Sequence, residues 1–311
     1  MKICYNLEMK NNQYKGIILL LITAIIWGGS FISQFYGGIT LGVYTFNAYR
    51  CLFGCISVFV MIAVENIYNK RNALFFRKDE DKKLTIKNSF ICGLVLFFAM
   101  ITQQIGVQLT TTAKAGLIAG LEVICVPIIL FIFYRRRIRF ITWVFIVTAM
   151  FGIMILSAGY IDGINIGDLW VLLSTILYSI TIIQVPKYCK NIDPLKFSFF
   201  RFLLMLFLSF ICSIIFRENS FTFDKFNAAL VSILYSGILA SGVAYTFQII
   251  GQKYCEPIIA TLLMSLEGIF AAIFGWIILD QTLNIIQILG IIITFISIVF
   301  VQITDYNVDI K

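Results

Sequence analysis

The chain of 311 residues contains two copies of one pattern, and both copies have a composition suited to lipid. A shift of 151 positions aligns Gly16 with Gly167, Trp27 with Tyr178, Phe46 with Phe197, and Arg50 with Arg201. A shift of 145 positions aligns Gln103 with Gln248, Gly106 with Gly251, Ala115 with Ala260, and Leu121-Glu122 with Leu266-Glu267. Hydrophobic residues make up 60% of the chain and charged residues 13%, against roughly 25% charged residues in soluble domains. Duplication in so apolar a chain is typical of membrane proteins built from repeats.

The apolar segments predict an all-α integral membrane protein with ten transmembrane helices. Five lie in a first repeat at 15–158, namely 15–36, 43–64, 86–109, 113–134 and 140–158. Five lie in a second repeat at 167–303, namely 167–187, 194–216, 226–250, 257–279 and 284–303. A helix needs about 20 apolar residues to cross the hydrocarbon core. Transmembrane β-strands would alternate in polarity, whereas these segments are continuously apolar.

An odd number of helices in each copy predicts that the two repeats have opposite orientations in the membrane. With the N-terminus in the cytoplasm, 19 of the 24 Lys and Arg residues fall in cytoplasmic segments, 3 fall outside and 2 lie within helices. This bias predicts a multi-pass plasma-membrane protein with both termini in the cytoplasm. Anionic lipid of the inner leaflet then accounts for the net charge of +8 without a nucleic-acid partner.

The sequence lacks several residue types and motifs that commonly serve in catalysis and metal binding. It contains no histidine, no CxxC pair and no GxxxxGK[ST] phosphate-binding loop. The usual zinc and haem sites therefore lose their commonest ligand, and ATP hydrolysis lacks its usual loop. We predict no enzymatic activity, no metal and no cofactor.

Two glutamates at matching positions of the repeats are the strongest candidates for a functional site. Glu122 and Glu267 each lie near the middle of an apolar segment, where a carboxylate costs about 2.5–3.5 kcal/mol on insertion scales. Each is expected to face the interior of the bundle. Contact with a substrate amine and transport of a proton are the functional hypotheses; a bond to a neighbouring helix is the structural alternative. Pro127 predicts a kink just after Glu122.

Arg50 and Arg201 form a second matching pair within the apolar segments. They could act in gating or neutralise a substrate carboxylate. The alternative that we favour at this point is an anchoring role, in which each side chain extends to the nearer membrane interface.

Further polar and aromatic residues within the segments are candidates for the lining of a substrate cavity. Trp27 and Tyr178 occupy aligned positions, and Ser30 lies one turn after Trp27. Gln103 and Gln248 form another aligned pair. Packing between helices is the alternative for each of them, because interhelical bonds of this kind average only about 0.6 kcal/mol in membranes.

Four stretches of the chain carry a resemblance to a known family. They read LLLITAIIWGGSF, TFNAYRCLFG, QQIGVQLTTTAKAGLIAGLEVICVPII, and SGVAYTFQIIGQKYCEPIIATLLMSLEGIFAAIFGWIILDQTL. Together they are similar to the EamA-type transporters of the drug/metabolite transporter superfamily, over about residues 15–303. The resemblance implies ten helices in two inverted repeats, a central cavity and alternating access. It also implies export or exchange of small metabolites such as amino acids.

The combined prediction is a secondary transporter that exports small, amino-acid-like metabolites. Its partners are the small-molecule substrate and membrane lipid, and protons are a candidate coupling ion. The alternative class is a non-transporting membrane scaffold or a lipid-handling protein, which would not need polar residues at the membrane midplane. A channel is less favoured, because no segment resembles a selectivity-filter loop.

Overall fold

All regular structure in the described part of the chain is helical. The computed structural model describes residues 2–69, 80–110, 112–135, 139–157, 165–218, 222–279 and 285–306. The helices are α1 (Lys2–Leu41), α2 (Val43–Tyr68), α3 (Lys82–Leu109), α4 (Thr112–Ala119), α5 (Glu122–Tyr134), α6 (Phe140–Ser157), α7 (Ile166–Tyr188), α8 (Pro194–Ile215), α9 (Phe223–Leu234), a π-helical segment (Tyr235–Ala244), α10 (Tyr245–Tyr254), α11 (Pro257–Met264), α12 (Glu267–Leu279) and α13 (Ile285–Tyr306).

Seven helical stretches within the described ranges are long and apolar enough to cross a bilayer. They are Gln13–Leu41, Val43–Tyr68, Lys82–Leu109, Ile166–Tyr188, Pro194–Ile215, Phe223–Tyr254 and Pro257–Ile278. Three shorter apolar helices are Glu122–Tyr134, Phe140–Gly152 and Ile288–Ser297. The protein is therefore an all-helical, multi-pass membrane protein. The total of ten membrane-spanning helices stays a prediction, and residue 158, the predicted end of the first repeat, lies outside the described residues.

Apolar side chains cover the outer surface of the bundle, and many polar side chains are buried beside its apolar core. Large apolar residues such as Phe131 and Phe207 are exposed on the outer faces of the helices. Polar residues such as Asn47, Gln104 and Ser174 are fully or almost fully buried. Lipid is the solvent that favours this arrangement, because polar groups then find their partners inside the bundle.

The fourth and ninth predicted segments are each interrupted at the same repeat position. A shift of 145 residues carries the bounds of α4 onto those of α11, and the bounds of α5 onto those of α12. At both interruptions a backbone N–H donates to the carbonyl oxygen of the third preceding residue instead of the fourth. These bonds run from Leu121 to Ile118, Val123 to Gly120, Leu266 to Leu263, and Gly268 to Ser265. The interruption at 120–121 precedes Glu122, and α5 continues through Pro127. The bend that Pro127 predicts after Glu122 stays a prediction, because a helix can bend while it continues through a proline.

Helices of one repeat pack mainly on helices of the other repeat. Helix α1 packs on α10 and the π segment, and its counterpart α7 packs on α3. Helix α2 packs on its own counterpart α8, and α6 packs on α13. Two aligned glycine pairs make the equivalent contacts, because Gly16 lies against Gly251 and Gly167 lies against Gly106. Equivalent contacts between matching helices are the pattern expected of two related repeats that share an axis of symmetry.

Candidate functional site

A small cavity lies where helices of both repeats meet. Ten side chains line it: Trp27, Ser30, Phe31, Gln34, Arg50, Gln103, Glu122, Tyr178, Tyr245 and Glu267. Its volume is about 20 Å³, which is room for about one water molecule. The lining combines a cation, two carboxylates, polar amides and a hydroxyl with four aromatic rings, so it can bind both charged and apolar groups.

The two glutamates enter the cavity from equivalent places on the interrupted helices. Glu122 is the first residue of α5, and Glu267 is the first residue of α12. Each side chain is 8% exposed, and the two carboxyl groups are close enough to interact electrostatically. The amide groups at the start of each helix carry partial positive charge, which favours a carboxylate there. Within the described residues, no hydrogen bond to either carboxylate is present, so both remain able to bind a ligand or a proton.

Aromatic side chains form one wall of the cavity. The indole Nε1 of Trp27 donates to the carbonyl oxygen of Ala240 at 3.1 Å. The hydroxyl of Tyr178 donates to Oε1 of Gln103 at 3.1 Å, and the hydroxyl of Tyr245 donates to that of Tyr178 at 3.3 Å. The rings of Trp27 and Tyr245 lie 4.7 Å apart. These contacts fix the orientations of the three rings.

A chain of polar groups continues along α1. The hydroxyl of Ser30 donates to the carbonyl oxygen of Trp27 at 2.8 Å, and Nε2 of Gln34 donates to Ser30 Oγ at 3.1 Å. Helix α3 joins this chain, because Nε2 of Gln104 donates to the Gln34 carbonyl at 2.8 Å. Oε1 of Gln34 has no donor among the described residues, which leaves an acceptor in the cavity wall.

Arg50 lines the cavity and is held by the π segment. Its Nε donates to Ser241 Oγ at 2.9 Å, whereas Nη1 is buried without an acceptor in the described part of the chain. Leaving such a group unpaired costs about 1–3 kcal/mol. Single π-helical turns often occur at functional sites, and here the π segment supplies the partners of both Arg50 and Trp27. The free Nη1 can receive an anionic group.

Two of the predicted residues do not line the cavity. Gln248 is 2% exposed and its Oε1 has no donor in the described ranges. Arg201 is 1% exposed, and its guanidinium carbon lies 5.4 Å from the centre of the Phe197 ring. Arg50 is likewise only 2% exposed. Both arginines are thus accommodated inside the bundle rather than by extension to its surface.

Three lining residues were missed by the sequence reasoning. Gln34 follows Ser30 by four positions and Trp27 by seven, which places all three on one helix face, so this spacing could have identified it. Phe31 and Tyr245 carried no such signal, because an aromatic residue in an apolar helix most often serves packing. The described residues contain no group of three or more His, Cys, Asp or Glu side chains that could hold a metal ion.

Comparison with known proteins places the chain among membrane transporters. The EamA-like transporter family matches it twice, over residues 14–158 and 165–303. An uncharacterized transporter of Archaeoglobus fulgidus is 26% identical over 284 residues, covering 91% of this chain and 84% of that protein. The uncharacterized transporter YoaV of Bacillus subtilis is 20% identical over 285 residues, covering 89% and 92%. A solved crystal structure, 13% identical, shares the fold with a TM-score of 0.73 over 93% of this chain and 96% of that one.

Proposed function

Because the chain belongs to the EamA-like transporter family and is a multi-pass membrane transporter, we propose that it exports small, amino-acid-like metabolites by alternating access. In this proposal it is a secondary transporter of the plasma membrane with both termini in the cytoplasm. Ten membrane-spanning helices form two inverted five-helix repeats, 15–158 and 167–303. The distribution of Lys and Arg residues, 19 cytoplasmic against 3 external, supports this orientation.

One observation carries the proposal: a cavity between the repeats receives one glutamate from each interrupted helix. Glu122 and Glu267 occupy equivalent positions and both are almost fully buried. Ionisable groups inside a membrane are costly, and in membrane proteins they commonly mark a pathway for a substrate or ion. Interrupted helices are a frequent place for such sites in transporters.

The charge pattern of the lining supports a substrate with both an amine and a carboxylate. Nη1 of Arg50 can donate to a substrate carboxylate, and such charge-assisted bonds are the stronger ones. Glu122 and Glu267 can accept from a substrate ammonium group. The rings of Trp27 and Tyr245 then contact the apolar part of the molecule.

The size of the cavity supports a transport cycle with moving helices. At about 20 Å³, the space holds about one water molecule, so a metabolite requires separation of the lining helices. The matched interruptions at 120–121 and 265–266 provide a bend point in each repeat. Opening toward one side and then the other follows if the two bends act in turn.

Protons are the coupling ion that the two carboxylates best suit. A buried carboxyl group without a fixed hydrogen-bond partner can hold a proton or release it when the cavity opens to water. Glu122 and Glu267 also repel each other when both are ionised, so binding of a proton or of a substrate amine relieves the same repulsion. Competition between a proton and the substrate amine for these carboxylates would couple export of the substrate to entry of protons.

A metabolite screen with a matched variant tests this proposal. Cells that overexpress the wild-type protein should accumulate one or a few zwitterionic metabolites in the medium. Cells that contain equal amounts of Glu267→Gln should not, because the amide preserves packing but cannot ionise. Mass spectrometry of the two media measures the difference. Equal media from the two strains would contradict the proposal.

A further inference from the structure

Arg201 on α8 is a buried cation that lacks a hydrogen-bond acceptor in the described part of the chain. The residue is 1% exposed, and none of its three guanidinium nitrogens has an acceptor among the described residues. The centre of the Phe197 ring lies 5.4 Å from the guanidinium carbon, and the neighbouring ionisable groups are two thiols and two phenols rather than carboxylates, those of Cys92, Cys189, Tyr178 and Tyr245. A buried charge is unfavourable without a counter-charge, so Arg201 is a candidate for binding an anionic group that is not part of the chain.

Comparison of the repeats explains why Arg201 has no hydrogen-bond acceptor among the described residues. Its counterpart Arg50 donates to Ser241 Oγ. A shift of 145 positions carries Ser241 onto Leu96, which is buried and has no acceptor in its side chain. The second repeat has therefore kept the arginine, while the first repeat does not supply the equivalent acceptor.

A pair of tyrosine hydroxyl groups in the cavity lining lies within electrostatic reach of both arginines. The hydroxyl groups of Tyr178 and Tyr245 are 3.3 Å apart, and both residues line the cavity. Arg50 and Arg201 each exert an electrostatic influence on Tyr245, although only Arg50 lines the cavity. The hydroxyl pair therefore belongs both to the cavity lining and to the surroundings of Arg201, which itself lies outside that lining.

Two glutamines with unpaired amide atoms follow Tyr245 along α10, toward one end of the bundle. Tyr245, Gln248 and Gln252 follow each other by three and four positions on α10, so they share one helix face. Oε1 of Gln248 and both amide atoms of Gln252 lack partners in the ranges that the structure describes. Lys253 near the end of α10 belongs to the side that the proposed orientation places in the cytoplasm. The face thus runs from the cavity edge toward the cytoplasm.

We infer that Arg201 is a second binding site for a carboxylate, on the cytoplasmic side of the Tyr178–Tyr245 hydroxyl pair. This inference rests on the proposed function. When the cytoplasmic side opens, the carboxylate of a substrate binds the guanidinium of Arg201. Separation of the two hydroxyl groups then lets the carboxylate pass to Nη1 of Arg50 inside the cavity.

Chemical labelling of arginine tests the inference without knowledge of the substrate. Wild-type protein in liposomes is treated with phenylglyoxal, which is uncharged and modifies arginines that become accessible, and each site is quantified by mass spectrometry. Arg201 should be modified over time despite its burial. Butyrate should slow its modification severalfold, whereas the uncharged analogue butyramide should not. Exposed Arg217 is the internal control and should respond to neither additive.

Three results would overturn the inference. They are an unmodified Arg201, equal protection by butyrate and butyramide, and no protection by butyrate. The variant Tyr245→Phe removes one hydroxyl of the separating pair and should make modification of Arg201 faster, with Arg217 unchanged. An unchanged rate at Arg201 in this variant would contradict the role given to the hydroxyl pair.

Substitution of Arg201 separates a binding role from a structural one. If Arg201 binds the substrate carboxylate, Arg201→Gln should lower export severalfold without lowering the melting temperature, and Arg201→Lys should restore part of the export. If the arginine only fills space, Arg201→Gln should raise the melting temperature and export at the wild-type rate, because an unpaired buried charge is removed.

The inference and the proposed function can fail separately. Loss of export in Glu267→Gln together with an inert Arg201 would keep the transporter and reject the second site. Labelling of Arg201 that butyrate prevents, together with unaltered export in Glu267→Gln, would keep the carboxylate site and reject the role of the glutamates.

Discussion

The two interrupted helices share a backbone course but differ in how closely a neighbour packs on them. At the interrupted helix of the second repeat, a Cβ atom added to Gly28 of α1 would lie 2.5 Å from Cβ of Phe270 and 2.9 Å from the carbonyl oxygen of Glu267. The position aligned with Gly28 is Ser179 of α7, whose hydroxyl donates to the carbonyl oxygen of Thr175 at 2.8 Å. Helix α1 therefore contacts α12 backbone to backbone.

The difference shows which features of the site the repeats share and which they do not. Both repeats keep the interruption, which allows a bend, and the glutamate, which gives the cavity its negative charge. The packing on each glutamate has diverged, and so have the arginine partners and the π segment. We expect the helix that begins at Glu267 to be held more firmly by its neighbour than the helix that begins at Glu122.

The largest effect is expected at the closest of these contacts. Gly28→Ala should destabilise the protein by about 1–3 kcal/mol, because the new methyl group meets backbone atoms that cannot rotate away. Ser179→Ala at the aligned position should cost less than about 1 kcal/mol, since it mainly removes a bond within its own helix. Unfolding in mixed micelles of increasing SDS content measures both. Equal losses would show that the two interfaces are equally tight.

A smaller effect is expected where the repeats cap α2 and α8 differently. Asp193 accepts from the backbone of its own helix α8, whereas the aligned position before α2 is Gly42. Glu218, which follows α8, supplies the missing acceptor and binds the backbone nitrogens of Val43, Tyr44 and Thr45 at 3.0, 2.8 and 2.9 Å.

Glu218→Ala and Asp193→Ala should each cost about 0.5–2 kcal/mol, the range for loss of a helix cap. Glu218→Ala should be the costlier of the two, because one carboxylate serves three backbone nitrogens. The same SDS unfolding assay measures both variants. A negligible loss in Glu218→Ala would mean that water caps α2 equally well.

The smallest effect is expected for the aligned aromatic pair of the cavity. Tyr178→Phe removes the hydroxyl that binds Gln103, and Trp27→Phe removes the donor to the carbonyl of Ala240. Each should cost about 0.5–1.5 kcal/mol, the usual net value of one hydrogen bond. Thermal unfolding in detergent provides the comparison. A loss in only one variant would show that the two aligned hydrogen bonds do not contribute equally to stability.

The sequence predicted those parts of the site that depend on repetition and polarity. Glu122 and Glu267 were found because a carboxylate in an apolar segment is costly, and because the same shift of 145 positions relates them. The interruption before Glu267 could not be predicted, since neither Gly nor Pro occurs at 265–266. In the first repeat Pro127 predicted a kink after Glu122, and it gave no signal for the interruption at 120–121, which lies on the other side of the glutamate.

Other parts of the site depend on which helices meet, which a single sequence does not show. Tyr245 reaches the cavity because α10 packs beside α1, and its aligned residue Met100 gives no hint of this. Gln248 looked equivalent to Gln103, yet only Gln103 has a tyrosine hydroxyl opposite it. Whether each arginine finds a hydrogen-bond acceptor likewise depends on the facing helix. Arg50 donates to Ser241, whereas Arg201 has no acceptor among the described residues.

Transport by purified protein tests the central claim most directly. Wild-type protein and Glu267→Gln are placed in liposomes, and uptake of the metabolite identified in the export screen is followed with and without an imposed pH gradient. The account predicts gradient-driven uptake by the wild type and none by Glu267→Gln, although both proteins melt at nearly the same temperature. Wild-type rates in Glu267→Gln, with the same dependence on pH, would contradict it and leave this glutamate with a structural role alone.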